Sequence, residues 1–123
     1  MKFSVDKKEK YVVLSINESK LNAEVSPDLK AQFVVLNSEN VKNIVVDMTE
    51  VLYCDSSGLS AILVGNRFCR NNSGNFIITG VQDHVKKLIS ISQLDSILMT
   101  IPTVNEAVDY IFMEEIEKQI HKD

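Results

Sequence analysis

The chain opens with two short runs of aromatic and β-branched residues, Phe3 to Val5 and Tyr11 to Ile16, separated by the charged turn Asp6 to Lys10. Runs this short on either side of a polar turn predict an antiparallel hairpin. The polar stretch NESKLNAEV follows, and then Ser26 with Pro27 predicts a helix start, serine as N-cap and proline at the first helical position. Leu29, Phe33 and Leu36 recur at helical spacing, so this helix is expected to run to about Asn37. Asn43 to Asp47 is apolar and β-branched, too short for a helix, and reads as a central strand buried on both faces of a sheet.

The next helix is expected from about Ser56 to Arg70, with Leu59, Ile62, Leu63 and Phe68 on or near one face and a stop at Asn71, Asn72, Ser73 and Gly74. Asn75 to Thr79 predicts another strand, Asp83 caps a short helix through HVKKLISIS, and Ile97 to Ile101 makes the last strand before Pro102. Thr103 and Glu106 fit a capping box ahead of Ala107, Val108, Ile111 and Phe112, in a helix that can continue through the tail IEKQIHKD. The order β β α β α β α β α favours parallel pairing with right-handed crossovers after the opening hairpin. The expected fold is therefore α/β, a mixed sheet with about four helices.

At 123 residues, 45% of them hydrophobic and 24% charged, the chain matches one globular domain spanning 1–123, with a C-terminal helical extension from about 113. No stretch approaches the roughly 18 to 20 apolar residues of a membrane span. The start MKFSVDKKEK has no apolar core of a secretory signal, which predicts an intracellular, cytoplasmic location. A net charge of −4 argues against nucleic acid as a direct partner, and Lys7, Lys8 and Lys10 read as a solvated turn. Cys54 and Cys69 form no CxxC pair and fit free thiols in a reducing compartment.

Catalytic patterns are absent. Gly58 and Gly65 are followed by no phosphate-binding lysine, and GxGxxG does not occur. His84 and His121, the two histidines, read as surface residues, and no nucleophile elbow surrounds Ser56 or Ser57. Asp47 and Asp55 flank the loop after the central strand, but read more simply as a strand-end aspartate and a helix cap than as a metal site. A response-regulator receiver would need an acidic pair after its first strand and a lysine where Ile101 precedes Pro102, and neither is present. No catalytic residue, cofactor or metal is expected.

What stands out is CDSSGLSA, residues 54 to 61, where two hydroxyls, a carboxylate and a glycine meet at a strand-to-helix junction that needs only one cap. VVDMTEVLYCDSSGL resembles the signature of the STAS domain, as in bacterial anti-sigma factor antagonists. The likeness extends through FIITGV, HVKKLISISQLD and TVNEAVDYI, essentially the whole chain. The resemblance implies a non-enzymatic partner-switching module. It would bind an anti-sigma factor serine kinase, which holds the ATP, free a sigma factor, and be switched off by phosphorylation of Ser56, with Ser57 as the fallback. A phosphatase would reset it.

The same resemblance implies partner contacts at Asp55, Ser57, Gly58 and Asn22. Asn22 stands where relatives commonly carry aspartate, and Ser60 where they often carry glycine. On spacing alone, Ser56 or Asp55 could simply cap the helix while Ser57 faces solvent. The alternative function is a non-phosphorylated adaptor or scaffold subunit of a transport or signalling complex, because related STAS domains occur in transporters.

Overall fold

The computed structural model describes residues 1–120. A five-stranded sheet is built from β1 (Phe3–Lys7), β2 (Val12–Ile16), β4 (Ile44–Asp47), β6 (Phe76–Thr79) and β7 (Met99–Ile101), in the order β1-β2-β4-β6-β7. β1 pairs antiparallel with β2 and every later pair is parallel, as the alternation of strands and helices predicts. The four helices are α1 (Ser26–Ser38), α2 (Ser56–Asn71), α3 (Asp83–Ile91) and α4 (Val104–Ile120). Two further strands, β3 (Lys20–Leu21) and β5 (Tyr53–Cys54), pair in parallel as a separate small sheet.

Alternating side chains explain the layers. Ile44 and Val46 of β4, with Phe76 and Ile78 of β6, enter the large core shared with α1, α2 and α3. Val45 and Ile77, pointing the opposite way, pack with Ala107 and Ile111 of α4. The central strands are thus buried on both faces, which is why they read as unbroken apolar runs. Beyond Ile111, α4 is steadied by an edge-on contact between Tyr11 and Phe112 (centroids 6.0 Å, interplanar 87°). Asn43 is a buried hub. Its amide nitrogen donates to Lys10 O (3.0 Å) and Glu115 Oε1 (2.9 Å), and its oxygen accepts from the Asn75 backbone (2.8 Å). The bond from Asn43 to Glu115, with Lys42 alongside, holds the Glu115 carboxyl below its ordinary range.

Several expected boundaries move. β1 runs to Lys7, so the hairpin turn is shorter than Asp6 to Lys10 and closes with Lys8 N donating to Tyr11 O (2.9 Å). Ser26 is not a cap. It is buried in the first turn of α1, and its hydroxyl donates to Asn22 O (2.6 Å). Gln82, not Asp83, precedes α3, and Asp83 is its first helical residue. β7 begins at Met99, because Ile97 and Leu98 are held in a turn by their bonds to Leu94 O (3.0 and 2.8 Å).

Half of the capping box at α4 forms: Glu106 N donates to Thr103 Oγ1 (3.2 Å), while the Glu106 carboxylate accepts from the Thr103 hydroxyl (2.8 Å). From about 113 the chain continues as helix α4 to Ile120, and His121 lies outside the described residues.

Candidate functional site

The DSSG loop is positioned by the small sheet. Register places Leu21 of β3 opposite Cys54 of β5, so Asn22 and Asp55 leave the pair side by side in sequence register. Asp55 N donates to Leu21 O (3.3 Å), and Ser19 O accepts from both Leu52 N (2.8 Å) and Tyr53 N (3.0 Å), tying the loop to the chain ahead of α1. Asp55 itself is extended (φ −109°, ψ −174°), the backbone state of an N-cap. Its Oδ1 accepts from Gly58 N at 3.0 Å, and its carbonyl accepts from Leu59 N at 3.0 Å. The carboxylate therefore caps α2, leaving both serine hydroxyls free of that task.

Ser56 is the first helical residue and is exposed, whereas Ser57 is half-buried and Gly58 is buried. The excess hydroxyl is thus presented to solvent at a helix N-terminus, where backbone N–H groups and the helix dipole favour negative charge. Gly58 faces inward. A Cβ there would collide with the Leu21 carbonyl oxygen and stand 2.6 Å from Cys54 Sγ. The close approach that requires glycine here is internal to the chain.

Asn22 also has an internal task. Its Oδ1 accepts from Glu24 N (3.0 Å) and Val25 N (3.3 Å), so it closes the turn that leads into α1. Asp47 Oδ1 likewise accepts from Thr49 N (3.0 Å) and Thr49 Oγ1 (2.6 Å), so the two aspartates weighed for a metal each satisfy a local turn. Burial pushes the Cys54 and Cys69 thiols up to about 12, the Asp55 charge adding to the effect at Cys54. Neither is a ready nucleophile.

Sequence reasoning did not single out Leu52 and Tyr53, which are 60% and 43% exposed just before the serines. Tyr53 is stacked on His84 of α3 (centroids 5.8 Å, interplanar 24°). An exposed leucine and an exposed tyrosine in an otherwise buried apolar run, VLYC, form the apolar border of the loop. Their orientation follows from β5, which has no signature in the sequence.

A family model for the STAS domain matches residues 2–107. Among solved structures, an anti-sigma-factor antagonist (STAS) domain protein from Planctomyces limnophilus has a TM-score of 0.81 at 15% identity, covering 89% of this chain and 97% of its own. The Bacillus cell fate determinant SpoIIAA in its phosphorylated form has a TM-score of 0.70 at 21% identity, covering 89% and 98%. A sulfate transporter family protein from Wolinella succinogenes has a TM-score of 0.75 at 18% identity, covering 86% and 88%. At these identities the structural likeness speaks for the fold.

Proposed function

The chain belongs to the STAS domain family, and from that premise we propose that it is a cytoplasmic anti-sigma factor antagonist switched by phosphorylation of Ser56. Unphosphorylated, it binds an anti-sigma factor serine kinase and frees a sigma factor. Phosphorylated, it releases the kinase until a phosphatase resets it. ATP belongs to the kinase, and the chain itself contributes no catalytic group. The observation that carries this reading is the exposed Ser56 hydroxyl at the first position of α2, with the cap supplied by Asp55 instead. Phosphate at that position meets the N-terminal end of a helix, so the fold tolerates it. The surface changes by roughly −1.5 to −2 charges beside the Asp55 carboxylate, which penalises a partner that has to cover both. The likeness to SpoIIAA, a protein known in unphosphorylated and phosphorylated forms, supports a phosphorylation cycle on this fold.

The alternative is a STAS adaptor in a transport complex, favoured by the likeness to the sulfate transporter family protein. Capture of partners from the native host separates the two: a serine kinase of the anti-sigma type supports the antagonist, and transporter subunits alone support the adaptor. With the kinase in hand, incubation with ATP and phosphopeptide mapping should find phosphate on Ser56 and lose it in Ser56→Ala. Phosphate on Ser57 alone would move the switch by one residue.

A further inference from the structure

The sheet ends at β7, whose outer backbone edge has no partner strand among the described residues. Unpaired edges are templates for another strand, and most proteins blunt or cover them. Here the edge carries Met99 and Thr100, both exposed, and no charged residue.

Two cavities flank this strand. The first, of 360 Å³ at its beginning, is bounded by Ile97 and Met99 on one side and by Asn66 and Arg70 of α2 on the other. Asn66 is 7% exposed and is one of the residues that line this cavity. Arg70 spans the same cavity, held by one bond from Nη2 to Ile97 O (3.2 Å), which leaves most of its guanidinium donors available. The second cavity, of 300 Å³ at the other end of β7, is bounded by Thr100, Ile101 and Pro102 together with Gly80, Val81 and Lys86.

Each cavity therefore holds one cation, Arg70 or Lys86, and neither has a carboxylate among its lining residues, in a chain with 17 acidic and 13 basic residues. We propose that the β7 edge is a docking groove for an extended acidic peptide segment of a partner protein, which adds as a sixth strand. Main-chain hydrogen bonds to β7 would hold the peptide, and acidic side chains at alternate positions, about 7 Å apart, would reach the two cavities. Asn66 would bond the first of these side chains beside Arg70. An edge with a cavity at each end suits an extended segment better than a compact ligand. This inference is independent of Ser56 and its phosphorylation.

The test is an NMR titration of the isotopically labelled full chain with the blocked pentapeptide Glu-Val-Glu-Val-Glu. Parallel titrations use blocked Lys-Val-Lys-Val-Lys and free glutamate. The acidic peptide should shift the signals of Met99, Thr100 and the Asn66 side chain and slow hydrogen exchange along β7, while the basic peptide should do neither. In an Arg70→Gln, Lys86→Gln double variant with an unchanged melting temperature, the apparent Kd should rise at least tenfold. No response at β7 to millimolar acidic peptide, or an equal response to the basic one, overturns the proposal. Equal shifts from free glutamate would overturn it in favour of a small-molecule site.

Discussion

Gly58 of α2 lies directly against the backbone carbonyl of Leu21 in β3, so closely that a single methyl group on Gly58 would overlap that oxygen. The contact locks the start of α2 onto the small sheet and thereby sets the direction in which Ser56 leaves the surface. Both atoms beneath Gly58, the Leu21 carbonyl and Cys54 Sγ, belong to buried, paired strand residues that have little room to move.

Gly58→Ala is accordingly expected to lower stability by about 1 to 3 kcal/mol, the usual range for overpacking a close contact, and Gly58→Val by more. Urea unfolding of the three proteins measures this. Loss of binding to the proposed kinase partner should follow the loss of folded protein. Gly58→Val with wild-type stability would show that the loop relaxes and that the packing contact is unimportant.

The two side chains that shape the loop should separate by chemistry. Asp55→Ala and Asn22→Ala each remove an oxygen that accepts backbone N–H groups at a helix entrance, and each should cost about 0.5 to 2 kcal/mol. Asp55→Asn keeps the acceptor and should stay within a few tenths of a kcal/mol of wild type, since asparagine caps about as well as aspartate. Thermal melts check the ranking, and a full-sized loss in Asp55→Asn would mean the charge rather than the cap stabilises α2.

Much of this was legible along the chain because it is local or periodic. Leu29, Phe33 and Leu36 announce α1, and Val45 and Ile77 sit within runs apolar enough to require cover on both faces. The small sheet was not legible. A two-residue strand carries no period, and Lys20–Leu21 lies inside the polar stretch NESKLNAEV, so only its pairing with Tyr53–Cys54 makes it a strand. The tight space at Gly58 depends on that pairing and was invisible with it. Ser26 before Pro27 is a sound local cap signal that lost to Asn22, whose side chain reaches the free N–H groups of Glu24 and Val25 from outside the helix. The exposed hydroxyl of Ser56 could be suspected from the surplus of caps in DSSG, but assigning the cap to Asp55 required the bond to Gly58.

The buried thiols predict a loss of stability in base. Their folded values, about 12, lie above the ordinary 9.0, so the unfolded chain releases these protons first as pH rises. The contribution is fully present below pH 9.0 and declines through the window up to about 12. Within that window each thiol should lower the unfolding free energy by up to about 1.4 kcal/mol per pH unit. Urea unfolding at pH 8, 9 and 10, set against a Cys54→Ala, Cys69→Ala variant, isolates the effect from other titrating groups. Equal slopes for the two proteins would show that the thiols ionise alike in both states.

Ser56→Glu should remain folded yet bind the proposed kinase partner less tightly. Folding should survive because Ser56 is exposed and makes no capping bond, while Asp55 continues to accept from Gly58 N. An acidic side chain in the first turn is favoured by the helix dipole, by about 0.3 to 1 kcal/mol at exposed sites. Binding should weaken because the added charge lies beside the Asp55 carboxylate and has to be desolvated, or left unpaired, when a partner covers the loop. A coupling of about 1 to 3 kcal/mol corresponds to a roughly 5- to 150-fold weaker complex. Glutamate carries one charge where phosphoserine carries about −1.5 to −2, so the lower half of that range is expected. Ser56→Ala should bind as wild type does, since no partner in the unphosphorylated complex needs to lose a charge there. Ser57→Ala, half-buried behind it, should change neither property much. Calorimetric titration of the kinase into all four proteins, with melting curves for each, measures binding and folding separately. If Ser56→Glu melts and binds as wild type does, charge at this helix start does not govern the partner, and the adaptor reading becomes the stronger one.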